Sequence, residues 1–269
     1  MSFQPILIGT GLVAWQFLQS TAESQRASFD KSPSLLRDTS YFAEKIGEVT
    51  SAEELVSDRR LLRVALGAYG LQDDIDSKYF VQKLLEEGTT AADALANKLA
   101  DERYKAFARG FGFDRVGGPR TQLDGFAEEI IGKFRAQQFE VAVGEQDNAL
   151  RLALSLRRSL PEIASSEVAD DTKWFRIMGN QPLRTVFEGA LGLPDSLGQL
   201  DIDQQLEIFR DKASARFGSD DLAVLAEEET LNRIAQTYLL QEQVKGFSAA
   251  GTAQIALTLL QNLPRWDAL

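Results

Sequence analysis

The sequence predicts an all-α, multi-helical protein, and three observations lead there. Almost every segment places its apolar residues at the helical period, as Leu206, Phe209 and Ala213 do. Gly/Asn/Asp hairpin signals between alternating apolar runs are absent. A helix-ending unit also recurs three times, as Ala68-Tyr69-Gly70-Leu71, Gly110-Phe111-Gly112-Phe113 and Ala190-Leu191-Gly192-Leu193. A small residue, an apolar one, Gly and a second apolar one make a Schellman stop. Glycine takes left-handed backbone without steric cost, and the next apolar residue folds back: Leu71 toward Leu66, Phe113 toward Phe107, Leu193 toward Phe187.

The elements follow in order. Residues 12–30 form a first helix, with Leu12, Trp15, Leu18, Ala22 and Phe29 close to one face. Ser32-Pro33-Ser34 breaks it and caps a second helix, about Leu35–Ile46, carrying Tyr41 and Phe42. Ser51-Ala-Glu-Glu54 has capping-box spacing and starts a helix that runs into the first stop. Asp73–Glu87 continues as a helix on Ile75, Tyr79, Val81 and Leu84, stopped by Gly88. Thr90 caps another through Leu99, and Asp101 opens the second copy. After the break at Val116-Gly-Gly-Pro-Arg120, Thr121 caps the longest helical pattern, from Leu123 to Leu156, with Gly144 and Pro161 as points of division. Asp201–Phe217 is amphipathic, Ser219-Asp-Asp221 caps a short segment, and two helices close the chain, Glu227–Val244 and about Ser248–Leu263.

Two of the three copies sit in larger matching units. Asp38-Thr-Ser-Tyr-Phe42 precedes the first and Asp171-Thr-Lys-Trp-Phe175 the third; Asp74-Ile-Asp76 follows the first and Asp201-Ile-Asp203 the third. The order is kept while the spacings differ, which points to an internal duplication without a fixed repeat period. The expectation is one all-helical chain over 1–269, with candidate units 1–116 and 121–269 and long helices bridging them.

With 269 residues, 44% hydrophobic and 26% charged, the chain is long enough for one large core or two small ones. A net charge of −11 argues against nucleic acid, which needs a basic face, and against an anionic membrane surface. His and Cys are both absent, which removes thiol nucleophiles, disulfides, Cys/His zinc sites and histidine acid–base catalysis. Met1–Ala22 is uncharged but lacks the basic region of a secretory signal, and Pro5, Gly9 and Gly11 interrupt its apolar run. A packed helix is expected there, with no membrane insertion and a cytoplasmic location; export by a flagellar route stays open.

The candidates for chemistry are few. Asp73, Asp74 and Asp76 with Asp201 and Asp203 suggest a Mg²⁺ or Ca²⁺ site, but the Gly and terminal Glu of an EF-hand are missing, and helix capping explains them better. Gly110-Phe-Gly112 and Gly117-Gly118 lack the Gly-Lys-Ser/Thr ending of a phosphate loop. Glu128-Glu129, Asp170-Asp171 and Glu227-Glu-Glu229 read as solvated acids. Arg59-Arg60 with Arg63, and Arg157-Arg158, read as partners of local acids more readily than as an anion site. Tyr41-Phe42 and Trp174-Phe175 read as core anchors. No catalytic, cofactor or metal residue is assigned.

Three stretches carry a resemblance: Asp38-Thr-Ser-Tyr-Phe, Ser57-Asp-Arg-Arg-Leu-Leu-Arg-Val-Ala-Leu-Gly-Ala-Tyr-Gly-Leu, and Ala96-Asn-Lys-Leu-Ala-Asp-Glu-Arg-Tyr-Lys-Ala-Phe. With Asp171-Thr-Lys-Trp-Phe and Leu183–Leu193, the chain resembles the alphaproteobacterial domain-of-unknown-function family 1217 over about residues 1–245. Members are often encoded near flagellar genes, so the resemblance implies a setting in flagellar assembly or motility, without a mechanism. The expected function is a non-catalytic helical protein that binds a protein partner. The alternative is a carboxylate-based enzyme, or a small-ligand or divalent-metal binder.

Overall fold

The structure, a computed structural model, describes residues 3–261, with side-chain surroundings for 3–246. Within those residues the chain is helical, without a strand, and holds fourteen α-helices joined by short turns. The first half holds α1 (Gly11–Phe29), α2 (Pro33–Lys45), α3 (Ala52–Ser57), α4 (Arg59–Ala68), α5 (Lys78–Glu87), α6 (Leu95–Lys98) and α7 (Glu102–Phe111). The second holds α8 (Phe126–Gly144), α9 (Asn148–Ala164), α10 (Asp170–Gly179), α11 (Gln181–Leu191), α12 (Ile202–Phe217), α13 (Leu222–Leu225) and α14 (Glu228–Gln261). No helix of the described residues is long and apolar enough to cross a membrane.

The chain-reversing chemistry sits where the sequence places it. Leu71 and Leu193 donate their backbone N–H to the carbonyls of Leu66 and Glu188, each at 2.9 Å, closing two Schellman stops on Gly70 and Gly192, with φ of +70° and +67°. The middle stop is the simpler left-handed kind, a single bond from the Gly112 N–H to the Ala108 carbonyl. Ser51 and Glu54 form both halves of the capping box. Asp58, Asp101 and Asn180 cap the helices that end in the three stops.

Several boundaries differ from the sequence reading. The helix from Ser51 does not run through to Gly70: Asp58 turns extended and its carboxylate accepts the N–H groups of Arg60 and Leu61, opening α4 anew. Asp73–Glu87 splits into a 3-10 turn (Gln72–Asp76) and α5, which leaves Tyr79 exposed. Thr90 caps nothing; its hydroxyl and N–H go to Asp114, and only Leu95–Lys98 is helical there. Thr121 is buried and donates to the Val49 carbonyl at 2.6 Å, so Gly125 precedes α8 instead and Leu123 is exposed. The long pattern divides after Gly144, where Asp147 caps α9. The two closing helices are one, α14; residues 262–263 of the expected last helix lie outside the described residues.

Two hydrophobic cores result. The first gathers Phe42, Leu62, Leu84, Phe107 and Phe111 from α2 to α7. The second gathers Trp174, Phe187, Phe209 and Tyr238 from α9 to α14, and α1 joins it through Trp15 and Leu18. Helix α8 serves both: Phe126, Ile130 and Phe134 complete the first, Phe139 and Val143 the second. The anchors behave as aromatic anchors do, Phe42 and Trp174 fully buried and Tyr41 and Phe175 partly so.

Candidate functional site

Because α8 buries apolar residues in both cores, its remaining stripe is left facing the space between them. Glu129, Lys133, Gln137, Glu140 and Gly144 fall three and four residues apart on one face. Helix α9 returns beside it, and Arg151, Ser155, Arg158 and Glu162 form the matching stripe. The pair makes one side of a cleft of about 1000 Å³. The end of α4, α7 and the 115–120 loop line it from the first core, the α10–α11 junction from the second. The halves touch at Gly179, where a Cβ would lie 2.8 Å from the Ala100 carbonyl oxygen.

Ion pairs hold this surface together. Glu140, almost wholly buried, accepts two bonds from Arg158, from Nε at 2.7 Å and Nη2 at 3.1 Å. Burial works against the Arg158 charge, yet Glu140 beside it more than compensates and raises its pKa. Glu129 accepts from Arg120 and Lys133, each at 2.8 Å, and Arg120 also donates to the Gly110 carbonyl. Burial alone would raise the Glu129 pKa; the two cations hold it below the ordinary carboxylate value. The Lys133 ammonium lies 5.3 Å from the centre of the Tyr69 ring. Burial pushes the Tyr69 phenol up, and its hydroxyl lies against Gly110, where a Cβ would overlap it. Arg103 binds its own cap Asp101 and donates to the Gly70 carbonyl, tying the start of α7 to the stop of α4.

Five more cations line the cleft outside these pairs: Lys105, Arg109, Arg115, Arg151 and Arg176. Among the described residues none of them forms an ion pair, nor do the lining acids Asp73, Glu102, Glu145 and Glu162. Nine of the chain's 29 lysines and arginines line the cleft, against six of its 40 acids, so its sign is inverted relative to the whole molecule.

The residues singled out from sequence lie mostly elsewhere. Asp73 reaches the rim, but Asp74 accepts the Tyr104 hydroxyl at 2.9 Å, Asp76 pairs with Arg59 on the surface, and Asp201 caps α12. Burial, then the bond to Asp74, pushes the Tyr104 phenol up to about 12. The two Asp-Ile-Asp segments are not brought together, and no cluster of three or more metal-ligating side chains occurs among the described residues. Arg60 and Arg63 pair with Asp38, and Arg157 with Glu228. Gly110 and Gly112 end α7, and Asp171 pairs with Arg210. The stretch 101–120 is read from sequence for its helix stop and its break, not for its charge, although Arg103, Lys105, Arg109, Arg115 and Arg120 outnumber three acids there in an acidic chain. That local excess was the available signal.

Fold and site together define an all-α protein with a polar cleft held between two helical cores. The chain belongs to the family described as "Protein of unknown function (DUF1217)", whose model matches residues 68–242. It is similar to the crystal structure of protein AGR_C_984 from Agrobacterium tumefaciens, at 25% identity and a TM-score of 0.72, covering 90% of this chain and 98% of that one. No curated protein matches it.

Proposed function

We propose that the protein acts by binding another protein, without catalysis, and that the cleft is its binding surface. The observation that carries this reading is the cleft's length. The lining runs along α8 from Glu129 to Gly144, about 23 Å at the helical rise. That matches roughly seven residues of extended chain. The composition supports it as well, since neither His nor Cys is present for acid–base or thiol chemistry. The family resemblance supplies the setting, flagellar assembly or motility.

The test combines a clean deletion with site-specific crosslinking in the native host. A photo-crosslinking amino acid at Gln137, in the cleft, is compared with one at the exposed Glu53. An adduct with a flagellar protein at 137 and none at 53, together with impaired swimming in the deletion, supports the reading. Normal swimming, normal filaments and no adduct at 137 refute it.

A further inference from the structure

We infer that the segment received by the cleft is acidic, an Asp/Glu-rich stretch of the partner lying along the α8/α9 floor. The inference rests on the protein-binding reading above and adds the chemistry of the partner. Three observations carry it. The cleft collects cations from both walls and the floor, Lys105, Arg109 and Arg115 on one wall, Arg176 on the other and Arg151 on α9, in a chain whose net charge is −11. Most of them are arginines, whose planar guanidinium presents paired N–H donors to a carboxylate. The carboxylates deepest in the cleft are already neutralised, Glu140 by Arg158 and Glu129 by Arg120 and Lys133. An incoming carboxylate therefore meets cations that no acid among the described residues neutralises, Arg151 and Arg176 being held only by the neutral side chains of Asn148 and Ser166, in a recess where their fields add.

Length separates this ligand from a small anion. A single carboxylate or phosphate reaches two or three cations, whereas the lining from Lys105 to Arg176 includes groups on four helices and a loop. A peptide carrying acids at intervals engages both walls at once. The four unpaired acids of the lining then disfavour a uniformly charged polymer and favour a segment in which acids alternate with neutral residues.

The experiment uses the full chain and fluorescein-labelled decapeptides, one alternating Glu with Ala and Ser, one with Lys in place of Glu. Anisotropy is read at low and at physiological salt. The Glu peptide is expected to bind at least about tenfold tighter than the Lys peptide, and to weaken with salt as exposed ion pairs do. Arg109→Glu/Arg115→Glu is expected to weaken it by a further tenfold or so, because it reverses two wall charges. The surface pair Lys31→Glu/Arg37→Glu, of equal charge change, leaves binding within about twofold. Circular dichroism confirms that each variant is folded. Equal binding of the two peptides, no binding of the Glu peptide, or equal loss in both double variants overturns the inference. So does competition by free glutamate or inorganic phosphate at the peptide's own concentration, which identifies a small-anion site. A partner crosslinked at Gln137 equally well in the Arg109→Glu/Arg115→Glu protein overturns the acidic segment alone; no partner at all removes the underlying reading.

Discussion

Glu140→Leu tests whether the ion pair in the cleft floor holds the two cores in place. Glu140 is 3% exposed at its side chain and Arg158 25%, so the substitution strands a guanidinium that has two hydrogen bonds to one carboxylate. Removing one partner of a buried pair costs about 3–5 kcal/mol. Because part of Arg158 reaches the cleft and its water, the lower end applies, about 3 kcal/mol. At roughly 2 °C per kcal/mol for a chain of this size, the melting midpoint falls by about 6 °C. Glu140→Leu/Arg158→Met replaces the pair with apolar groups and is expected to recover most of the loss, since the desolvation of both charges is relieved together. Urea unfolding followed by far-UV circular dichroism on the wild type, both single variants and the double variant closes the cycle. A single-variant cost below about 1 kcal/mol, or a double variant as unstable as the sum of the singles, refutes the argument.

Three further outcomes follow from named contacts. Asp58→Ala removes the cap of α4 and the acceptor of the Tyr41 hydroxyl, and costs about 1–2 kcal/mol at neutral pH by urea midpoint. Burial raises the Asp58 pKa, but its bonds to Tyr41, Leu61 and Arg60 hold it below the ordinary value. A depressed carboxylate contributes fully above its unfolded pKa of about 3.9 and loses that contribution as pH falls further, so the gap to the variant narrows at pH 3. Gly192→Ala costs about 1 kcal/mol for backbone alone, since φ is +67° and nothing lies near its Cβ position; a neutral result in thermal melts contradicts the left-handed stop. Gly179→Val forces a side chain onto the Ala100 carbonyl where the two halves meet, and is expected to cost about 1–3 kcal/mol and to alter crosslinking from Gln137. Unchanged stability and crosslinking together show that the contact does not set the cleft.

The fold was legible wherever its cause was local. The capping box at Ser51 and the stops at Gly70, Gly112 and Gly192 each involve groups near one another in sequence, or a turn type with one favoured residue. The errors arose where a residue had two local uses and tertiary contacts chose between them. Asp58 and Thr121 illustrate both directions. Asp58 reads as a mid-helix polar residue, but Tyr41 and two free N–H groups make it a cap. Thr121 reads as a cap, but a buried carbonyl at Val49 takes its hydroxyl. Neither Tyr41 nor Val49 is signalled by the residues flanking these positions.

The cleft was hidden for a different reason. Along α8 the polar positions Glu129, Lys133, Gln137 and Glu140 keep helical spacing, and on an isolated amphipathic helix such a stripe is the solvent face. Here the apolar residues change sides along the helix. Ile130 and Phe134 enter one core, and Phe139 and Val143 enter another, so the polar stripe becomes an internal wall between them. A helix shared by two cores has no single outer face, and its charges are enclosed as the cores close around it. That geometry explains why Glu140 is buried with an arginine beside it, and why the free cations of α7, α9 and α10 converge on a site that no linear motif announces. It also fixes where to look in related chains: at polar residues spaced three and four apart on a helix whose apolar residues switch faces midway.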